Sequence, residues 1–492
     1  MISATLYQWN LRNSRIPLIA AGAMLAVGLA ALQAVSLKWS AMLLAVVLMT
    51  ALAGCKMEAA LVLYTFAAFV PIGPFFAVTG RTGYAEGLYV SELVLGLLLI
   101  VWATGLVFRT IGNKRLPLHK SPINAPLLLL IGVSVFSFIA AKFTWDYRVP
   151  TEHRYNITQV TEIGLLCMPI AAYLLISNSL KDLRWIKAVF FSVLAVGAIG
   201  FASDCPWIHL PDFLNIRWTG LLTIPLLSFL YAYIVVHKEF SWKQLLALCL
   251  LGLLFAVQFS YTSWVVMWLS ASVSLCAISW YRSKRLFAVV ISLVLLTCLL
   301  RIDLFRGILE AERAEQSLQR FSIWAASLKM VFGRLLWGIG PDNFYPYYSH
   351  YYAGVYRTMN VSTPHSNWVQ IFVQYGIIGL AAFIWFIVVC FRNLSRLYRR
   401  AQKTFEREVL LTALGTFSGM VVISGLGDYI FPARANGGLV NFGITVYLWI
   451  LLGVAMSLPR SPETEFASNS STSSLGEPSA SDPAERSDKR AG

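Results

Sequence analysis

Three side chains in this sequence have the type and setting to handle a phosphate ester and a hydroxyl: Arg217, Arg320 and His365. Arg217 stands in Asn215-Ile216-Arg217-Trp218-Thr219-Gly220, at the mouth of an apolar run. A guanidinium there can hold a phosphate through two parallel N–H donors without entering the bilayer centre. A snorkelling arginine paired with lipid head groups is the alternative. Arg320 has Gln316 and Ser317 one turn before it and Ile323 and Trp324 one turn after, so no carboxylate at helical spacing neutralises it. It either meets head groups or the Trp324 ring, or serves as a second cation for a diphosphate. Arg313, by contrast, has Glu310 three residues earlier.

His365 follows Pro364 at the start of an apolar run, where a rigid turn would hold its imidazole at the membrane surface. Its ordinary pKa near 6.5 suits a general base for a sugar hydroxyl. Otherwise it occupies a helix entrance, with Ser366 or Asn367 as the cap. Asp428 could orient His365 or a substrate, or be a solvated turn residue, and Asn367 joins it as an acceptor-binding or orienting candidate. Gly338 and Gly340 lack the lysine and the strand of a phosphate-cradling loop, which leaves an ordinary turn.

The elements that must position these residues are membrane spans. A chain with 58% hydrophobic and 13% charged residues and a mean hydropathy of +0.66 cannot be a soluble globular protein. Its runs are continuously apolar and do not alternate, which predicts an all-α polytopic membrane protein with about 12 to 14 helices of about 20 residues each. The expected spans lie near 16–35, 40–54, 57–79, 89–108, 123–141, 162–178, 186–202, 219–236, 244–259, 264–281, 286–300, 366–391, 408–425 and 438–457. The net charge of +15 is dispersed in short clusters between runs, a pattern that sets orientation and does not bind nucleic acid.

With both termini in the cytoplasm, the strongest basic cluster, Arg392 to Arg407, falls inside. The polar segments 145–162, 203–217, 301–365 and 428–437 then fall on one external face. Residues 1–458 read as one transmembrane domain with a large external loop at 301–365, and the Ser/Pro/Glu/Asp-rich 459–492 as a disordered cytoplasmic tail. Within the loop, Phe321, Trp324, Ala325, Leu328 and Val331 recur at helical spacing, so Ala311 to Phe332 is expected as an amphipathic helix on the membrane, forming a lid. The seven cysteines lie mostly in or beside apolar runs without metal-ligand spacing, and neither a disulfide nor a metal or other cofactor is expected.

Taken in order, these motifs resemble the O-antigen ligase and O-antigen polymerase superfamily of bacterial membrane glycosyltransferases. Arg217-Trp218-Thr219-Gly220 looks like the family's Arg-x-x-Gly element, and Arg320-Phe321-Ser322-Ile323-Trp324 like its Arg-x-x-x-Trp helix. Gly338 to Phe344 is similar to its Gly-x-Gly-x-x-x-Phe turn, and Pro364-His365-Ser366-Asn367 with Gly376 and Gly379 to its final block. The chain departs from the family at Thr223-Ile224-Pro225-Leu226, where Asn-Pro-Asn is common, and at Ser263-Trp264, where Ser-Arg is common.

The resemblance implies a fold of the membrane glycosyltransferase C class in the bacterial cytoplasmic membrane. It implies a metal-independent enzyme that transfers or polymerises an undecaprenyl-diphosphate-linked glycan on the external face. The acceptor would be another glycan or a lipid-anchored sugar, with membrane lipids around it. Arg217 and Arg320 would hold the diphosphate and His365 would activate the acceptor. Two other classes remain open: a polysaccharide or lipid transporter or flippase, which calls for ionisable residues near span centres and repeat symmetry, and a non-catalytic envelope assembly scaffold.

Overall fold

The computed structural model describes residues 48–69, 75–79, 85–113, 118–151, 155–205, 207–208, 219–261, 265–300, 317–352, 361–434 and 438–458. Arg217, the first expected span and the 459–492 tail lie outside the described residues. Among the described residues, five helices are long and apolar enough to cross a membrane: Val90–Phe108, Asn124–Phe143, Tyr155–Ser179, Leu183–Asp204 and Asn367–Arg400. Shorter apolar helices, among them Met57–Ala67, Gly220–Val236 and Trp242–Val257, pack beside them, giving an all-α polytopic membrane protein.

Three expected boundaries move, each for a physical reason. The run 57–79 is not one span. Its helix ends at Ala67, and Phe75–Thr79 pairs antiparallel with Ala85–Leu88. Pro71, Gly73 and Pro74 stand between helix and strand, where ring constraint and backbone freedom oppose continued helix. The helix Tyr155–Ser179 starts seven residues ahead of its apolar run, because Gln159 and Glu162 find buried hydrogen-bond partners instead of solvent. The helix Asn367–Arg400 continues nine residues past its apolar run into the basic cluster.

Packing in the bundle uses small residues where helices approach closely. Thr404–Ile423 lies against Val265–Arg282, and a Cβ added at Gly419 would fall 2.5 Å from the Ser274 hydroxyl. Two elements shape the site. We label Ser317–Met330 α1 and Asn367–Arg400 α2. Helix α2 is broken at Gly376, whose φ of 68° and ψ of −164° lie outside the helical range. The break frees backbone groups in the middle of an apolar helix, and they require partners.

Those partners come from the segment after α1. Ile339 N donates to Val373 O at 2.9 Å and Gly340 N to Gln374 O at 3.0 Å, while Ile377 N donates to Leu335 O at 2.8 Å. The Ser137 hydroxyl lies 2.6 Å from Trp337 O and 2.7 Å from Gln374 O. The glycines at 338 and 376 permit this contact. Both have positive φ, and a Cβ on Gly338 would come 2.5 Å from the Gln374 carbonyl. The Gly338-x-Gly340 turn is thus the plug of a broken helix, and it docks the lid onto the bundle.

Candidate functional site

Of the helix expected at Ala311 to Phe332, residues 311–316 lie outside those described and α1 ends at Met330. It is amphipathic as expected, although Val331, just past its end and expected on the membrane face, is fully buried. Ile323, Ala326, Ser327 and Met330 are buried against the lid core, whereas Phe321 and Leu328 on the other side are 69% and 52% exposed. Buried and exposed stripes on one short helix are what a shelf between protein and lipid requires. Trp324 turns inward, and its indole Nε1 donates to the Pro364 carbonyl at 2.9 Å. That bond ties α1 to the residue before His365.

His365 has a φ of 50°, and it and Asp342 are the non-glycine residues with positive φ among those described. Such a conformation is costly outside glycine and persists only when the surroundings impose it. Here Trp324 fixes the Pro364 carbonyl on one side and the helix cap fixes the other. Ser366 is the N-cap of α2, its hydroxyl accepting from Val369 N at 3.4 Å. His365 N itself donates to Thr363 Oγ1 at 3.3 Å. The imidazole is half-buried. Burial, and after it the Arg320 cation, push its pKa down to about 4. It is therefore neutral at pH 7, the form that can accept a proton.

Arg320 reaches the same place. Its Nη1 donates to Leu426 O at 3.4 Å, and it forms no ion pair with a described carboxylate. The loop that carries Leu426 is held against the start of α2 by Asn367. Asn367 N donates to Ser424 O at 2.9 Å, its Oδ1 accepts from Ile430 N at 2.8 Å and its Nδ2 donates to Phe431 O at 2.7 Å. With its polar groups so engaged, Asn367 is a clamp for this loop. Asp428, inside the clamped loop, is 3% exposed, which overturns the solvated-turn reading. The structure thus brings Arg320, His365, Asn367 and the Asp428 loop together.

Reasoning from the sequence missed a second polar cluster beneath this turn. Glu162 Oε1 accepts from Gln370 Nε2 at 2.7 Å and Gln374 Nε2 at 3.1 Å, and its Oε2 accepts from Arg434 N at 2.8 Å. Arg434 Nε in turn meets Asp342 Oδ2 at 2.7 Å, in an ion pair with both side chains mostly buried. Next to it the Gln159 amide donates to Asn343 Oδ1 at 2.7 Å. A small cavity beside Glu162, Gln370, Gln374 and Asn367 has room for about one water. The only sequence signal was the glutamine spacing, which places Gln370 and Gln374 on one face of α2 with Asn367.

Fold and site together define a polytopic helical membrane protein in which the helix α1 holds a cation beside a neutral histidine. Residues 245–384, less than a third of the chain, match the family model described as O-antigen ligase. This supports the O-antigen ligase and polymerase superfamily and, with it, a role in surface polysaccharide biosynthesis. The matched segment contains Arg320, the Gly338–Phe344 turn, His365 and the Gly376 break, and leaves Arg217, Asp428 and Arg434 outside. No curated protein matches the chain.

Proposed function

We propose that this protein transfers or polymerises a lipid-diphosphate-linked oligosaccharide at the external face of the bacterial cytoplasmic membrane, without a metal ion. The acceptor hydroxyl attacks the sugar carbon bound to the diphosphate. The carbon–oxygen bond to phosphate breaks, and the diphosphate leaves with the bonding electrons. His365 takes the hydroxyl proton, and Asp428 orients the imidazole or the acceptor. Arg320 and Arg217 meet the charge that grows on the leaving diphosphate, where a fixed cation lowers the barrier. Arg217 enters on its sequence setting alone.

The observation that carries this reading is the Trp324 bond to Pro364, which fastens the helix of an arginine without a described carboxylate partner to the turn of a neutral histidine. A transporter would place ionisable groups at span centres. Glu162 lies in the first third of its helix and is bonded to loop backbone, so it supports no such pathway. The test is glycan analysis of cells carrying His365→Ala, Arg320→Ala or Arg217→Ala at normal protein level. Accumulated single repeats indicate a polymerase, and accumulated lipid-linked polymer indicates a ligase. Normal surface glycan in all three contradicts the proposal.

A further inference from the structure

A second set of side chains at the lid end has the chemistry of saccharide recognition. Between the helices Asn124–Phe143 and Tyr155–Ser179, the chain at 144–149 folds back on itself. The Trp145 Nε1 donates to Val149 O at 3.0 Å, and the Trp145 ring stands edge-on to Tyr155 and Tyr347 at 4.8 and 5.1 Å. The short lid helix Phe344–Tyr351 lies against this turn. Asp146 N donates to the Tyr347 hydroxyl at 3.0 Å, the Tyr351 hydroxyl donates to Asp146 Oδ2, and Arg148 N donates to Asp146 Oδ1 at 3.0 Å. The hydrogen bond from Tyr351, and then that from Arg148 N, holds this carboxyl below the usual carboxylate range.

Each Asp146 oxygen keeps a lone pair for an outside donor. Beside the carboxylate, the Tyr147 ring is 86% exposed with the Arg148 guanidinium 5.6 Å from its centre, and Tyr351 is 37% exposed. An exposed ring with a guanidinium beside it, next to an ionised carboxylate that hydrogen bonds hold in place before any ligand arrives, fits a sugar. The apolar C–H face of the sugar stacks on the ring, its hydroxyls donate to the carboxylate, and its oxygens accept from the guanidinium. Lipid head groups also attract tyrosine and tryptophan, but a fixed carboxylate repels anionic head groups and gains nothing from acyl chains.

We infer that Asp146, Tyr147, Arg148 and Tyr351 form a subsite for the saccharide chain that extends away from the reacting end of the substrate. This inference rests on the proposed transfer of a lipid-linked oligosaccharide. The subsite lies where the helix Phe344–Tyr351 meets the 144–149 turn.

The test uses purified full-length protein in detergent, with lipid-diphosphate substrates carrying one repeat unit or many, both isolated from cells making the same polysaccharide. Wild type prefers the many-repeat substrate. In Asp146→Asn that preference falls about tenfold, the loss expected for one hydrogen bond to a charged group, and it falls also in Tyr147→Ala, which removes the stacking ring. Binding of the delipidated many-repeat oligosaccharide weakens in parallel. Equal losses for both substrates, loss of protein from the membrane, or unchanged preference with unchanged oligosaccharide binding overturns the subsite. A wild-type protein that transfers neither substrate overturns the proposed function itself, and with it this inference.

Discussion

The lid is fastened to the bundle in two ways, and the contrast explains which part is scaffold and which part can do chemistry. At the Gly376 break, backbone meets backbone. The 335–340 segment supplies donors and acceptors to the interrupted helix, and only glycine fits at the closest points. The backbone groups at these contacts are spent on one another. At the His365 turn, side chains do the fastening. Trp324 holds a carbonyl, Asn367 clamps a loop, and an arginine and an imidazole form no ion pair with a described carboxylate. A joint of the first kind resists change in any residue that adds a Cβ. A joint of the second kind tolerates changes in shape and loses most when the arginine or the imidazole is removed.

Substitutions can break this comparison, and the largest effect is expected at the turn. His365→Ala lowers transfer by about 10²- to 10⁴-fold, the usual contribution of a positioned general base, while thermal unfolding of the purified protein stays near wild type. A fall in stability as large as the fall in activity would make His365 part of the scaffold. Arg320→Ala comes next, with a loss of about 10²- to 10³-fold in kcat for a lipid-diphosphate donor. Arg320→Lys recovers part of it, because a point charge remains after the fork of donors is gone.

At the other joint, Gly338→Ala and Gly376→Ala each cost about 1–3 kcal/mol or more through positive φ and backbone overlap. Limited proteolysis after Phe332 reports this as a loosened lid, and activity falls only in proportion to the folded fraction. A stable Gly338→Ala protein with an intact lid would refute the plug. The smallest effect is expected for Trp324→Phe, which keeps the ring and removes one hydrogen bond worth about 0.5–1.5 kcal/mol. Transfer should fall severalfold with little change in unfolding temperature.

The pH dependence follows from His365. Its folded pKa is depressed relative to the unfolded chain, so its contribution to stability is present above the unfolded value of about 6.5 and is lost as pH falls through about 4. In kcat/KM the acid limb should therefore lie near pH 4. In kcat it should lie higher, because a bound diphosphate offsets the Arg320 charge that helps to depress the imidazole.

Much of this molecule is legible in its sequence, and what is not legible has a common physical cause. Long apolar runs announce their helices wherever lipid faces them, and the expected spans from 89 to 108 and from 123 to 141 lie within a few residues of the observed helices. Arg320 and His365 stand out because charge and imidazole are rare in such surroundings. The remainder depends on contacts between distant parts of the chain. Glu162 meets Gln370 and Gln374 across 208 and 212 residues and Arg434 across 272, and no local periodicity records such a pairing. For the same reason the Gly376 break reads as an uninterrupted apolar helix until the segment that fills it is known. Asn367 looks like a ligand for an acceptor until Ile430 and Phe431 take up its amide.

The central claim is that α1 places the Arg320 charge beside the His365 imidazole, and NMR titration of the His365 ring tests it most directly. In the wild-type protein the ring should titrate near 4. In Arg320→Gln its pKa should rise while remaining below 6.5, because burial persists after the cation is gone. Titration near 6.5 in both proteins, or a wild-type value that the substitution leaves unmoved, would contradict the account.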